Sequence, residues 1–130
     1  MVDEFVLEVF FIKIKVKTCL KNIAEKTEEK NYITGMKNKN KITYYHNDTV
    51  VKLEMFQDYL KLIRENDNFI HTFNFRLNKE TTSEYYIKEY HTSFVVKVLT
   101  TKLSINDSNI TINYIIKDSN DEYSFTLDME

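Results

Sequence analysis

Phe11-Ile12-Lys13-Ile14-Lys15-Val16-Lys17 alternates without a break: Ile12, Ile14 and Val16 fall on one side of an extended chain, Lys13, Lys15 and Lys17 on the other. Successive side chains of a strand point to opposite faces, so this period of two predicts a half-buried β-strand with its basic face in water. The pattern recurs downstream. Val51, Leu53 and Met55 share a face, as do Phe69, His71, Phe73 and Phe75, then Ile110, Ile112 and Tyr114, and near the end Tyr123, Phe125 and Leu127. Asn/Asp clusters separate these runs, among them Asn38-Lys39-Asn40, Asn47-Asp48, Asn66-Asp67-Asn68 and Asn106-Asp107-Ser108-Asn109. Asn and Asp tolerate left-handed backbone and bond to nearby amides, which suits them to turns in a chain with one glycine.

Beyond the first strand, the runs at 32–36, 42–46, 49–56, 59–64, 69–77, 82–90, 93–105, 110–117 and 123–128 bring the expected total to nine or ten strands. A spacing of about 8–12 residues with turn signals between is the mark of a β-sandwich or barrel. Connections this short favour an antiparallel meander, because parallel strands need long crossovers. Residues 20–30, with Ala24 and six charged side chains, stay open between helix, strand and loop. The run Phe94-Val95-Val96-Lys97-Val98-Leu99 is apolar on both faces, so a cover on its outer side is expected, from the N-terminal segment or a partner subunit.

Composition agrees with an all-β domain. The 130 residues hold 13 Ile, 13 Thr, 9 Val, 9 Tyr and 9 Phe against a single Ala, the best helix former. That length suits one domain, 1–130. A net charge of −2 argues against a dedicated nucleic-acid domain, which is usually basic. One cysteine, Cys19, permits no internal disulfide, and the acidic start Met1-Val2-Asp3-Glu4 lacks the basic character of a signal peptide. A cytoplasmic location without membrane attachment is the expectation.

Two further segments carry a resemblance. Thr49-Val50-Val51-Lys52-Leu53-Glu54, followed by Leu60-Lys61-Leu62-Ile63-Arg64, looks like a Thr-rich strand ending in Lys-hydrophobic-Glu and then a strand ending in Ile-Arg. Tyr90-His91-Thr92-Ser93-Phe94-Val95, followed by Thr100-Thr101-Lys102-Leu103, looks like a Tyr-x-Thr-Pro-aromatic-Gly turn running into Thr-Lys-x-Leu. On these motifs residues 32–128 resemble the YwiB-like family, small bacterial proteins of unknown function. The resemblance implies a closed calycin-like, lipocalin-like barrel of about eight to ten strands, and it brings no activity with it. Ser93 and Val95 stand where the family has Pro and Gly, which puts the turn there in question.

Reactive chemistry finds little support. His46, His71 and His91 are far apart in sequence, no His-x-His pair exists, and Cys19 has no nearby cysteine, so no metal site is expected. His71 shares its face with three Phe residues and reads best as a hydrogen-bonded core histidine. Cys19 reads as a small buried hydrophobe rather than a nucleophile. Asp118-Ser119-Asn120-Asp121-Glu122 starts like a calcium loop but has Tyr123 at the position that needs Gly. One glycine excludes Gly-rich phosphate loops. No catalysis and no cofactor are expected.

Residues 13–41 hold nine lysines and three acids, with Tyr32 among them and Tyr44 and Tyr45 adjacent. Single-stranded nucleic acid is one use for such a face; a lysine-rich outer surface that keeps strands from mispairing is the better one. The interior remains. If Leu60 and Leu62 face in, so does Arg64, and a buried Arg needs an acceptor, either a neighbouring Glu or a ligand's acid group. The expectation is a non-catalytic barrel taking a small apolar or amphipathic ligand, with Arg64, His71 and Tyr90 as its polar contacts. The rival is a side-chain-filled barrel that contacts a second copy or another protein through Phe94 to Leu99.

Overall fold

The structure is a computed structural model that describes residues 11–130. It holds ten strands: β1 (Phe11–Asn22), β2 (Thr27–Asn38), β3 (Lys41–His46), β4 (Thr49–Met55), β5 (Leu60–Glu65), β6 (Phe69–Phe75), β7 (Glu80–Ile87), β8 (Thr92–Ile105), β9 (Asn109–Ile116) and β10 (Asp121–Met129). Each pairs antiparallel with the next, and β10 closes on β1, from Val16 opposite Met129 to Asn22 opposite Tyr123. The result is a closed all-β meander barrel: alternation and spacing left sandwich and barrel open, and closure is what the YwiB-like resemblance implies. Closure removes free sheet edges, the commonest hazard of an exposed strand.

Residues 20–30 resolve into the end of β1, a turn at 23–26 and the start of β2, with Lys26 in left-handed backbone (φ 58°). Among the described residues six non-glycine residues take that conformation, and three of them are the turn asparagines Asn47, Asn78 and Asn120. Turns therefore sit where Asn clusters sit. Ser93 and Val95 lie within β8, and the chain reverses just before it, at 88–91, with His91 left-handed. No turn is needed at the positions where the family's Pro and Gly are missing.

Inward positions follow the period of two. Val16, Ile42, Leu53, Leu60, Phe75, Val98, Ile110, Ile112 and Leu127 are buried to within about a hundredth of their surface and plug one end of the barrel. In β8 the parity changes: a bulge between Thr100 and Lys102 moves the inward set from Val96, Val98 and Thr100 to Leu103, opposite Ile112. The doubly apolar run lies just before that bulge. Among the described residues Phe94 and Val95 are exposed, while Val98 is buried; the expected outer cover would lie over the first two. The N-terminal segment offered as one such cover includes residues 1–10, which lie outside the described residues.

Pairing between β2 and β3 is short, four residue pairs, as it is between β6 and β7. Only Gly35 to Asn38 face β3, opposite Tyr44 to Lys41, so the first half of β2 continues past its neighbour on that side. The divergence starts at the single glycine. A Cβ on Gly35 would lie 3.1 Å from the Thr43 carbonyl oxygen and 3.2 Å from Val16 Cγ2, so glycine lets three strands approach closely here.

Candidate ligand cavity

Opposite the plugged end, the barrel interior holds a cavity of about 450 Å³. Its deeper walls are apolar, with Leu62, Phe73, Phe75, Ile112 and Phe125, while Glu29, Asn31, His46, Arg64 and His71 bring polar groups into the lining. Each arrives by strand parity. Leu60, Leu62 and Arg64 alternate inward along β5, and Phe69, His71, Phe73 and Phe75 along β6, with Arg64 directly opposite His71 in the ladder. Val51 lies opposite Arg64 on its other side and Tyr44 opposite Val51, which sets Tyr44, Arg64 and His71 along one stretch of wall.

Arg64 has no carboxylate within ion-pair distance among the described residues. Its recorded contact is with a ring: the guanidinium carbon lies 5.8 Å from the centroid of Phe69. Glu29, the lining carboxylate, is paired with His46 instead, at 3.7 Å, across the gap where β2 leaves β3. Sequence alone left a neighbouring Glu as the usual partner of a buried Arg; the register places no such pair at Arg64. Glu65, the next residue, faces outward and binds Lys88 at 3.0 Å.

His71 is held by a relay. Ser83, buried on β7, donates its hydroxyl to the Thr72 carbonyl at 2.9 Å, and its oxygen lies 3.2 Å from His71 Nε2. Because the serine proton is committed to Thr72, Nε2 carries the imidazole proton and donates, leaving Nδ1 as an acceptor. Burial, then the charge of Arg64, push the His71 pKa down to about 4, so the ring is neutral at pH 7. Phe73 packs against it with ring centroids 4.3 Å apart.

Three phenols complete the wall, with Tyr123 stacked on Tyr114 at 5.4 Å between ring centroids. Tyr44 and Tyr114 are both buried and both line the cavity, and among the described residues neither hydroxyl meets a hydrogen-bond partner. Burial pushes Tyr44 up to about 12 and raises Tyr114 further, so both keep their protons, while the Arg64 charge acts in the opposite sense on each. Sequence reading placed Tyr114 on a core face and gave it no role at a site. The signal was present, a hydroxyl on an inward face, but its nearness to Arg64 depends on barrel closure.

Of the three expected contacts, Arg64 and His71 meet in the cavity and Tyr90 does not. β7 ends at Ile87, and Tyr90 sits in the following turn, 69% exposed and outside the lining. A strand drawn through to residue 90 extends the inward pattern past the point where the chain reverses.

The other candidates lie elsewhere. His46 belongs to the cavity lining with Glu29, whereas His91 meets the Tyr86 hydroxyl at 3.2 Å in the turn before β8. Among the described residues no three His, Cys, Asp or Glu side chains form a metal-ligand cluster. Cys19 points outward and donates to Glu28 Oε1 at 3.2 Å; burial and that bond push the thiol up, away from the thiolate a nucleophile needs. On the lysine-rich face, Lys17 binds Glu130 at 3.0 Å, Lys30 binds Glu28 at 3.3 Å, and Lys15 donates to the Thr34 hydroxyl at 2.8 Å. The Tyr32 hydroxyl also binds Glu130, at 2.9 Å. Glu130 and Glu28 thus neutralise Lys17 and Lys30, while Lys15 keeps its charge beside a neutral hydroxyl.

No protein-family model matches the sequence, and no curated protein matches it. Among solved structures, the crystal structure of the YwiB protein from Bacillus subtilis superimposes with a TM-score of 0.69 at 15% sequence identity, over 93% of this chain and 91% of that one. The likeness extends along almost the whole barrel and establishes a shared fold.

Proposed function

We propose that the protein is a non-catalytic binding module that holds one small amphipathic molecule inside its barrel, with Arg64 and His71 among the polar contacts. A single observation carries this reading: the Arg64 guanidinium lines an apolar-walled cavity with no carboxylate partner among the described residues. Arg64 is half-buried, so its charge is partly shielded from water, and a ligand's acceptor would compensate that loss. The volume supports the same reading. About 450 Å³ falls within the range of small-molecule sites, whereas a barrel filled by its own side chains leaves no such space. An apolar interior under a lysine-bearing outer face is the reverse of a membrane-spanning barrel. With its lone thiol at Cys19, the chain suits a reducing cytoplasm.

The test is native mass spectrometry of the chain purified without refolding, before and after incubation with a neutral amphiphile. An added mass that disappears on denaturation is expected. A bare chain that takes up nothing in either case shifts the function to the outer surface, where Phe94 and Val95 are exposed.

A further inference from the structure

Several groups around the cavity, Thr18, Asn31 and Tyr123 among them, have hydrogen-bonding capacity that the described residues do not use. Three of them are the guanidinium of Arg64 on β5, the hydroxyl of Tyr44 on β3 and the hydroxyl of Tyr114 on β9. Each comes from a different strand, and the charge of Arg64 acts on both phenols, so the three share one electrostatic neighbourhood. By contrast, His71 has committed its proton to Ser83, and Glu29 lies against His46. Arg64 is the charged donor that remains open, and a half-buried cation in an apolar-walled space gains from a charged acceptor.

We infer that the cavity selects a monocarboxylate, its carboxylate held by Arg64, Tyr44 and Tyr114 and its compact apolar body packed on Phe73, Phe75 and Phe125. The inference rests on the binding reading above and narrows it to one ligand class. Charge count decides for a monoanion. Among the described residues Arg64 is the one Lys or Arg in the lining, and a phosphate monoester brings close to two negative charges for that single cation. A guanidinium also fits a planar carboxylate with two parallel N–H···O bonds, a geometry that a hydroxyl or amide ligand cannot return. Phe69 stands beside the guanidinium and helps fix its plane. Size follows from the volume: at roughly 30 Å³ per water-sized group, 450 Å³ accommodates on the order of fifteen non-hydrogen atoms.

Two pairs of probes match that size and differ only in charge: naphthylacetic acid with its amide, and decanoic acid with its amide. Each is titrated calorimetrically and by displacement of Nile red, a neutral dye that reports on the cavity independently of any carboxylate. In at least one pair the acid is expected to bind about tenfold or more tightly than the amide at pH 7. In Arg64→Met that ratio falls toward one. Should Arg64→Met fail to fold by circular dichroism, the double variant Tyr44→Phe/Tyr114→Phe removes only two hydroxyl oxygens, and the ratio is expected to drop several-fold. Equal affinity for acid and amide in both pairs, with Nile red still bound, overturns carboxylate selection and leaves the binding reading standing. If neither dye nor any probe enters, both fall together.

Discussion

His71 on β6 and Ser83 on β7 are joined by a hydrogen bond of 3.2 Å that sets the histidine's tautomer, because the serine hydroxyl is already donated to the Thr72 carbonyl. Proton uptake at His71 therefore places a second charge beside Arg64 in a partly dry cavity. The folded-state pKa is lowered, from 6.5 to about 4. The unfolded chain binds this proton more readily, so the contribution is intact above pH 6.5, declines as pH falls, and levels off below about 4. Discounted for the ring's partial exposure, the loss is about 1–2 kcal/mol. Urea denaturation of wild type and His71→Phe between pH 7 and 4 should show the gap between them shifting in favour of the variant as pH falls. A gap that stays constant over this range means that His71 titrates alike in the folded and unfolded chains.

Gly35→Ala should destabilise the barrel. The added methyl meets the Thr43 carbonyl oxygen at 3.1 Å, Val16 Cγ2 at 3.2 Å and Tyr44 Cβ at 3.3 Å, and the first two belong to strands on opposite sides of β2. Loss of glycine's chain freedom stabilises by about 0.4–1 kcal/mol, whereas overpacking costs about 1–3 kcal/mol, so the overpacking wins. Thermal melting against Thr34→Ala, an exposed neighbour, is the comparison; equal midpoints count against the crowding.

Leu60→Ala and Leu62→Ala remove the same atoms from the same strand, yet their costs should differ. Leu60 is fully buried outside the cavity lining, and Leu62 borders the empty space and already lacks neighbours on one side. Truncation of a core leucine costs about 2–5 kcal/mol, and Leu60 belongs toward the upper end of that range, Leu62 toward the lower. Chemical denaturation reads the difference directly. The opposite order implies that the interior is more tightly filled around Leu62 than the cavity suggests.

Lys26→Asn should stabilise the β1–β2 turn by a few tenths of a kcal/mol, because Lys26 holds φ 58° and asparagine tolerates that conformation better. The side chain lies on the exposed turn, so little else changes. A melting temperature below that of wild type indicates that the lysine makes a contact worth more than the backbone strain.

Much of this fold is legible along the chain. Ile14 and Val16 alternate with lysines, Phe73 and Phe75 with polar residues, and a strand at an oil–water boundary has to show that period because its two faces meet different solvents. The inward direction of Arg64 follows from Leu60 and Leu62 by the same count. Residues 20–30 resist reading for a physical reason: at the cavity the inward positions are Leu20, Glu29 and Asn31, so both faces carry polar groups and the contrast fades. Tyr90 is misplaced because alternation does not mark where β7 stops. The bulge after Thr100 is hidden by residues that are apolar on either parity.

What tertiary structure alone decides is company. Tyr44, Arg64 and Tyr114 are separated by 20 and then 50 positions in the chain, and nothing local in the sequence relates them. Closing β10 on β1 bends the sheet until β3, β5 and β9 face a common space, and strand register then selects which rows share it. Side-chain direction is a property of each strand and its solvent, and the sequence records it. Proximity across the barrel is a property of closure and register, set by many pairings at once, and it turns three separate inward residues into one site.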